Sequence, residues 1–224
     1  MSPTIPPPPQ RLLVFARLPE AGRVKTRLAR DIGDERALTL YEAMLRDTMR
    51  SIGEATPELE IEVLWAPSSN ANGDALQRAF GNRALAMQTG ATLGDRLSMA
   101  FSERFFFHRT DKIIAIGVDD PSLARELIDH AFALLDSCDW VIGPAADGGY
   151  YLIGCRAAAF NPEVFIDIEW GTNSVLSATL EKIRGWTSCV AQLPERRDID
   201  AGEDLALYRS EGEVGTLLRE WGYD

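Results

Sequence analysis

Four short segments of this sequence carry residues that can do chemistry on phosphates or metal ions. The first is Pro19-Glu20-Ala21-Gly22-Arg23-Val24-Lys25-Thr26-Arg27-Leu28, which sets a glycine and three cations just after the apolar run Leu12-Leu13-Val14-Phe15-Ala16. In open α/β sheets ligands bind at the carboxyl ends of the strands, and a loop leading into a helix adds backbone N–H donors for phosphate. Lys25 and Arg27 are the expected phosphate contacts. Cations at a helix start oppose the helix dipole, which suggests that an anion completes the arrangement. The second segment, Asp119-Asp120-Pro121, follows the apolar run that ends at Gly117. Carboxylate oxygens are hard ligands, suited to Mg²⁺ or Mn²⁺ held jointly with substrate phosphates. Asp119 is the expected ligand, and Asp120 is expected to serve the turn. Ser122 or Asp120 could also cap the helix that follows, with Pro121 near its first turn.

The third segment, Pro144 to Tyr151, contains Asp147-Gly148-Gly149, and the fourth, Arg197 to Asp204, contains Asp198 and Asp200. Each is ambiguous by itself. Asp-Gly is also a hairpin signal, and acids before a helix make a favourable helix start. Trp170, preceded by Asp167 and Glu169, could stack on a base or sugar, although a lone tryptophan more commonly packs in a core. Thr172 or Asn173 could cap the helix through Leu180.

Several classes of function are disfavoured. Gly22 does not directly precede Lys25 as in the phosphate-loop pattern GxxxxGK[ST], and GxGxxG is absent, which argues against an ATPase or a dinucleotide dehydrogenase. His108 and His130 have no nucleophile motif beside them. The formal net charge of −11, from 34 acidic and 23 basic residues, argues against general attraction to nucleic acid or an anionic membrane. Cys138, Cys155 and Cys189 are far apart in the chain and read as reduced thiols.

The elements that must position these residues alternate through most of the chain. Strands are expected at Leu12–Ala16, Ile61–Trp65, Ala84–Met87 and Lys112–Gly117. Helices are expected from Asp34, as cap, through Met49, at Asp74–Phe80, at Leu93–Phe107 and over Leu123–Leu135. This alternation implies a mostly parallel sheet with helices on both faces. Trp140–Gly143 and Tyr150–Gly154 are strand-like and joined by a turn too short for a helical crossover, so the sheet should be mixed. The tail from Ala201 to Trp221 reads as helical. Residues 1–10 are proline-rich and read as a disordered or extended leader without a secretion signal, and 11–224 as one domain in a cytoplasmic protein.

Taken together, the blocks Val14 to Leu28, Gln88 to Leu97 with Gly94-Asp95-Arg96, Gly117 to Pro121, Gly143 to Gly154, Trp170-Gly171-Thr172 and Asp198 to Leu205 carry a resemblance. They resemble a bacterial family of uncharacterised conserved proteins described as GT-A-type glycosyltransferases, some associated with arsenosugar biosynthesis. More distantly they resemble 2-phospho-lactate guanylyltransferases and molybdenum-cofactor guanylyltransferases. The resemblance implies a nucleotide-diphospho-sugar transferase fold, Rossmann-like, with three α/β/α layers and a mixed, mostly parallel sheet. It places Arg23, Lys25 and Arg27 near phosphates, Asp147, Gly148, Gly149 and Trp170 near the acceptor, and a divalent ion on Asp119. Pro121 stands where the glycosyltransferase Asp-x-Asp pattern has an acid, which makes Asp198 or Asp200 the expected second ligand.

The implied reaction is a metal-dependent transfer from a nucleotide or nucleotide-sugar donor to a small-molecule acceptor. In glycosyl transfer the ion on Asp119 neutralises a diphosphate leaving group, and Asp147 acts as base or orients the acceptor. In nucleotidyl transfer an acceptor phosphate attacks the α-phosphorus of a nucleoside triphosphate, with Lys25 and the ion stabilising the developing charge. A third reading is a nucleotide-binding module without chemistry.

Overall fold

The computed structural model describes residues 10–187, 189–208 and 212–223. One sheet of seven strands has the order β3-β2-β1-β4-β6-β5-β7. The strands are β1 Gln10–Ala16, β2 Leu59–Trp65, β3 Ala84–Met87, β4 Lys112–Ile116, β5 Trp140–Pro144, β6 Tyr150–Arg156 and β7 Val190–Gln192. β6 alone runs against its neighbours, because the turn after β5 has no room for a crossover. The sheet is therefore mixed and mostly parallel. Of the expected leader, residues 1–9 lie outside the described residues, and Gln10 is already the first residue of β1.

The helices are α1 Ala29–Ile32, α2 Asp34–Ile52, α3 Gly73–Phe80, α4 Leu93–His108, α5 Arg125–Leu134, α6 Val175–Arg184, α7 Gly202–Leu207 and α8 Glu213–Glu220. Alternate residues of the central strands point to opposite faces. Leu12 and Val14 pack with Tyr41 and Leu45 of α2, Phe80 of α3 and Ile128 and Phe132 of α5. Leu13 and Ile113 pack on the other face with Phe101 and Phe105 of α4 and Leu180 and Ile183 of α6. The far side of α2 is covered in turn: Leu40 and Met44 meet Leu28, Ile199, Leu205, Val214 and Leu218, so the chain's end closes over its beginning. Among the described residues no helix is long and apolar enough to cross a membrane.

Helix starts differ from expectation at three places. Gly33, at φ +84°, precedes α2, and Asp34 is its first residue, so Asp34 favours the helix dipole but does not cap. α5 begins only at Arg125, behind Ala124, and neither Asp120 nor Ser122 caps it. α6 starts behind Ser174, while the Thr172 hydroxyl donates to Glu169 O at 2.8 Å. The best-defined start is that of α4, where the Thr92 hydroxyl accepts from Asp95 N–H and the Asp95 carboxylate accepts from Thr92 N–H.

Two further groupings are tertiary. Glu62 of β2 is almost buried and lies between Arg11 of β1 and Arg104 of α4, whose Nη2 is 2.7 Å from Glu62 Oε1. Cys138, in the turn before β5, and Cys189, next to β7, bring their sulfur atoms to 2.7 Å. All three cysteines are free thiols, as expected, and the 50 residues between Cys138 and Cys189 return the chain because Cys189 O accepts from Asp139 N–H, extending the β5–β7 pairing.

Candidate functional site

The loop after β1 makes the first wall of the site. Arg17 follows the strand directly, and its backbone is held on both sides by one phenol. Arg17 N–H donates to the Tyr41 oxygen at 2.8 Å, and the Tyr41 hydroxyl donates to Arg17 O at 3.1 Å. Burial pushes that phenol well above its ordinary range. The loop then turns at Gly22, φ +71°, and again at Lys25, φ +46°. The left-handed region suits glycine, so Lys25 holds its backbone at a cost of order 1–3 kcal/mol. The expected phosphate-binding helix start is only the four-residue α1, which begins after the cations rather than over them.

Lys25 does not reach into the open. Its side chain is 5% exposed, with Nζ 2.5 Å from Asp119 Oδ1 and 2.8 Å from Asp200 Oδ1. It also donates to Ile199 O at 2.6 Å. An ammonium has three donors, and all three are engaged. Burial works against the charged form, yet Asp119 and Asp200 more than offset it, and the pKa of Lys25 rises above the usual lysine value. The two carboxylates and Ile199 O hold the Lys25 ammonium inside rather than in a solvent-exposed orientation.

The carboxylates come from separate parts of the chain. Asp119 follows β4, and Asp198 and Asp200 follow β7. Main-chain bonds set the second segment in place: Arg196 N–H donates to Pro144 O, Ala146 N–H to Arg196 O, and Ile199 N–H to Asp119 O, each at about 3 Å. Asp198 is the acid among these whose pKa is raised. Burial, followed by the charges of Asp119, Asp200 and Asp147, lifts it to about 8, with Lys25 pulling the other way. Its Oδ1 is buried and has no hydrogen-bond partner among the described residues. Of the three expected ligands, Asp119 and Asp200 meet at Lys25 in one cleft, while Asp198 lines a neighbouring cavity with Arg196, Arg197 and Asp204. They do not form a ready cage, since among the described residues no three acid, histidine or cysteine side chains are placed to share an ion.

Asp120, just past the bend that follows β4, points elsewhere. It is buried, accepts from Ser122 N–H at 3.1 Å and Ser122 Oγ–H at 2.6 Å, and pairs with Arg196. Arg196 also donates to Ser122 Oγ at 2.7 Å and lies over the Tyr151 ring. These contacts tie the segment that bears Asp198 and Asp200 to the turn after β4.

Between these walls lies a cleft of about 650 Å³, lined by Arg17, Arg23, Lys25, Arg27, Arg96, Asp119, Tyr150 and Asp200 among others. Of the four arginines only Arg23 has a carboxylate within 4.0 Å among the described residues, that of Glu20. Arg96, on the first turn of α4, is held by neutral acceptors, Gly90 O at 3.1 Å and Gln88 Oε1 at 3.3 Å. Gln88 is itself fixed, because its amide nitrogen donates to Ala16 O at 3.2 Å and Leu64 O at 2.6 Å. Arg17, Gln88 and Arg96 were not among the residues singled out from sequence. Arg17 was open to detection as the first residue beyond β1, and Arg96 stands inside a block of the resemblance.

The residues expected on the acceptor side lie around the β5–β6 turn. Asp147 is exposed and accepts from Gly149 N–H at 2.9 Å. Gly148 has φ +88°, and a Cβ there would sit 2.2 Å from Asn173 O, so its glycine is required by packing. Trp170 is not brought to the cleft lining. Its ring meets Tyr150 edge-on, and its indole nitrogen lies where a Cβ on Gly94 would be only 2.8 Å away. It supports the site from behind Tyr150.

Comparison with known proteins agrees with this fold. Residues 50–172 match the profile of DUF2064, described as an uncharacterised protein conserved in bacteria. A candidate nucleotide-diphospho-sugar transferase from Desulfovibrio desulfuricans G20 shares 33% identity over 94% of each chain, with a TM-score of 0.87. A cytidylyltransferase from Leptospira borgpetersenii is 14% identical over 95% of this chain and 92% of its own, with a TM-score of 0.58. The 4-diphosphocytidyl-2C-methyl-D-erythritol synthase of Anaerococcus prevotii is 12% identical over 94% and 96%, with a TM-score of 0.56. No curated protein matches the sequence. The architecture is the Rossmann-like GT-A fold of nucleotide-diphospho-sugar transferases.

Proposed function

This chain belongs to the bacterial family DUF2064, and we propose that it transfers a group from a nucleotide-activated donor to a small acceptor, with Mg²⁺ or Mn²⁺ as cofactor. One observation carries the reading: four arginines line a single cleft at the carboxyl ends of the strands, and Asp119 and Asp200 enter the same cleft. In a protein of net charge −11 this local excess of cation marks a place for phosphates. Arg17, Arg23, Arg27 and Arg96 bind them, and planar guanidinium groups fix the orientation of phosphate oxygens by paired donors. Gln88 keeps Arg96 in place. Asp147 orients or deprotonates the acceptor, on a turn that Gly148 lets pack against the chain at Asn173.

The carboxylates fit a hard divalent cation. Asp119, Asp198 and Asp200 offer oxygen donors, and the unpartnered Asp198 Oδ1 lacks what an ion would provide. Bound there, the ion would add positive charge where the donor's leaving phosphates develop negative charge. The name of the Desulfovibrio relative supports transfer of a sugar from a nucleotide sugar. Nucleotidyl transfer is favoured by a separate feature, the number of arginines without a carboxylate partner, since a triphosphate brings more charge than a diphosphate. A cytoplasmic setting supplies donors of both kinds.

The deciding experiment supplies Mn²⁺ and each donor class in turn, with guanine nucleotides first because of the guanylyltransferase resemblance. Release of a nucleoside diphosphate from a nucleotide sugar identifies glycosyl transfer, and release of pyrophosphate from a triphosphate identifies nucleotidyl transfer. If neither class binds, by calorimetry, the donor reading fails.

A further inference from the structure

We infer that the Lys25 ammonium is the resident cation of the carboxylate site, and that a divalent ion enters by displacing it. The inference rests on the proposed role of Asp119 and Asp200 as ligands. The ammonium stands between those two carboxylates, 2.5 Å from one and 2.8 Å from the other, and a third acceptor, Ile199 O, completes its donors. It is almost fully shielded from water. The strained backbone at φ +46° turns the Lys25 side chain inward, while Arg23, Thr26 and Arg27 on the same loop are exposed.

Charge balance explains the arrangement. Asp119 and Asp200 are like charges that share one cation, the Lys25 ammonium. With the ammonium in place, the two share one positive charge at close range and one negative charge stays uncompensated. A divalent ion binds carboxylate oxygens at roughly 2.0–2.6 Å. Were it to share the oxygens that Lys25 holds, ion and ammonium would stand within about 5 Å of each other, with little water between them to screen the repulsion. Only one of the two can stay.

The displaced ammonium has somewhere to go. Lys25 lies in the loop that carries Arg23 and Arg27, and its four-carbon stem is flexible. Phosphate bound by those arginines would receive it. Ion entry and phosphate binding then favour each other, and the coupling is reciprocal by thermodynamic linkage. Asp198 Oδ1, unpartnered while the ammonium is inside, becomes a further oxygen for the incoming ion. Lys25 is on this account a positioning residue that alternates between two places.

Two measurements test this with Mn²⁺ and inorganic pyrophosphate as the probes. In the first, Mn²⁺ is titrated calorimetrically into the parent protein and into Lys25→Met, which keeps the stem and removes the charge. Without pyrophosphate the variant should bind Mn²⁺ at least about tenfold more tightly, and pyrophosphate should strengthen Mn²⁺ binding in the parent far more than in the variant. In the second, an amine-reactive label is followed residue by residue on the parent protein, so that folding of the variant is not at issue. Lys25 should be protected alone and become reactive with Mn²⁺ and pyrophosphate, while Lys112 and Lys182, the other lysines, keep their rates. Mn²⁺ uptake by the parent with Lys25 still protected, or a variant that binds no more tightly, overturns the exchange and leaves the metal site standing. No Mn²⁺ uptake by either protein, with or without pyrophosphate, overturns both.

Discussion

Asp119 and Asp120 are adjacent, yet their substitution should have opposite consequences. The Asp120 side chain is 3% exposed and accepts from the backbone and hydroxyl of Ser122 as well as from Arg196. Asp120→Ala leaves the Ser122 N–H and a mostly buried guanidinium without their acceptor. Removing one partner of a fully buried pair costs about 3–5 kcal/mol. Arg196 is 28% exposed and keeps Ser122 Oγ and the Tyr151 ring, so the lower part of that scale applies, about 2–3 kcal/mol after the remaining contacts are allowed for. In a chain of this length each kcal/mol moves the melting temperature by about 2–4 °C, which gives a fall of roughly 4–12 °C. Mn²⁺ affinity should change less than about twofold, or ~0.4 kcal/mol. Asp119→Asn retains an oxygen for Lys25 and sits on a side chain 47% exposed, so it should melt within a few degrees of the parent. Its Mn²⁺ affinity should drop by about tenfold or more, at least ~1.4 kcal/mol. Thermal melts by circular dichroism and Mn²⁺ titrations on both variants decide the matter. An Asp120→Ala protein that melts with the parent, or that loses Mn²⁺ as Asp119→Asn does, would refute the division of labour.

Gly148→Ala should cost about 3 kcal/mol or more, from positive φ and collision with the Asn173 backbone, whereas Gly171→Ala, with φ +82° and open space, should cost about 1 kcal/mol; urea midpoints compare them. For Glu62, burial alone would raise the pKa, but the Arg104 and Arg11 guanidinium groups hold it below the ordinary carboxylate value of 4.5. The unfolded chain therefore takes up this proton first, so the pair's contribution is present above pH 4.5 and is lost as pH falls through the lower folded value. Glu62→Gln should be less stable at pH 7 and lose less stability between pH 5 and 3 than the parent; parallel denaturation curves at those pH values would contradict the assignment. Treatment with hydrogen peroxide should join Cys138 and Cys189 as a disulfide, two thiols and one peroxide giving one S–S bond and two waters. Thiol titration should then find one reactive cysteine in the unfolded, oxidised protein, the buried Cys155, and three would show that the close sulfurs do not pair.

The sequence by itself determined the strand and helix alternation, because a strand buried on both faces must be apolar throughout and a helix on a sheet must repeat its apolar residues at helical spacing. Leu12–Ala16, Lys112–Ile116 and the stripe of α2 are local patterns of this kind. The turn Asp147-Gly148-Gly149 likewise announced the antiparallel strand, since its length permits no crossover. The carboxylates and cations were visible as residue types at strand ends. Their partners were not. That Lys25 faces Asp119 and Asp200 depends on Ile199 N–H reaching Asp119 O across 80 residues of chain and on a backbone angle that lysine seldom adopts. The turn role of Asp120 was legible beside Ser122, whereas its pairing with Arg196 depends on the segment after β7 returning to that turn. The Gln88–Arg96 contact, the Glu62 ion network and the Cys138–Cys189 approach have the same origin. Each joins residues distant in sequence through sheet register or main-chain pairing, and no local spacing encodes those distances.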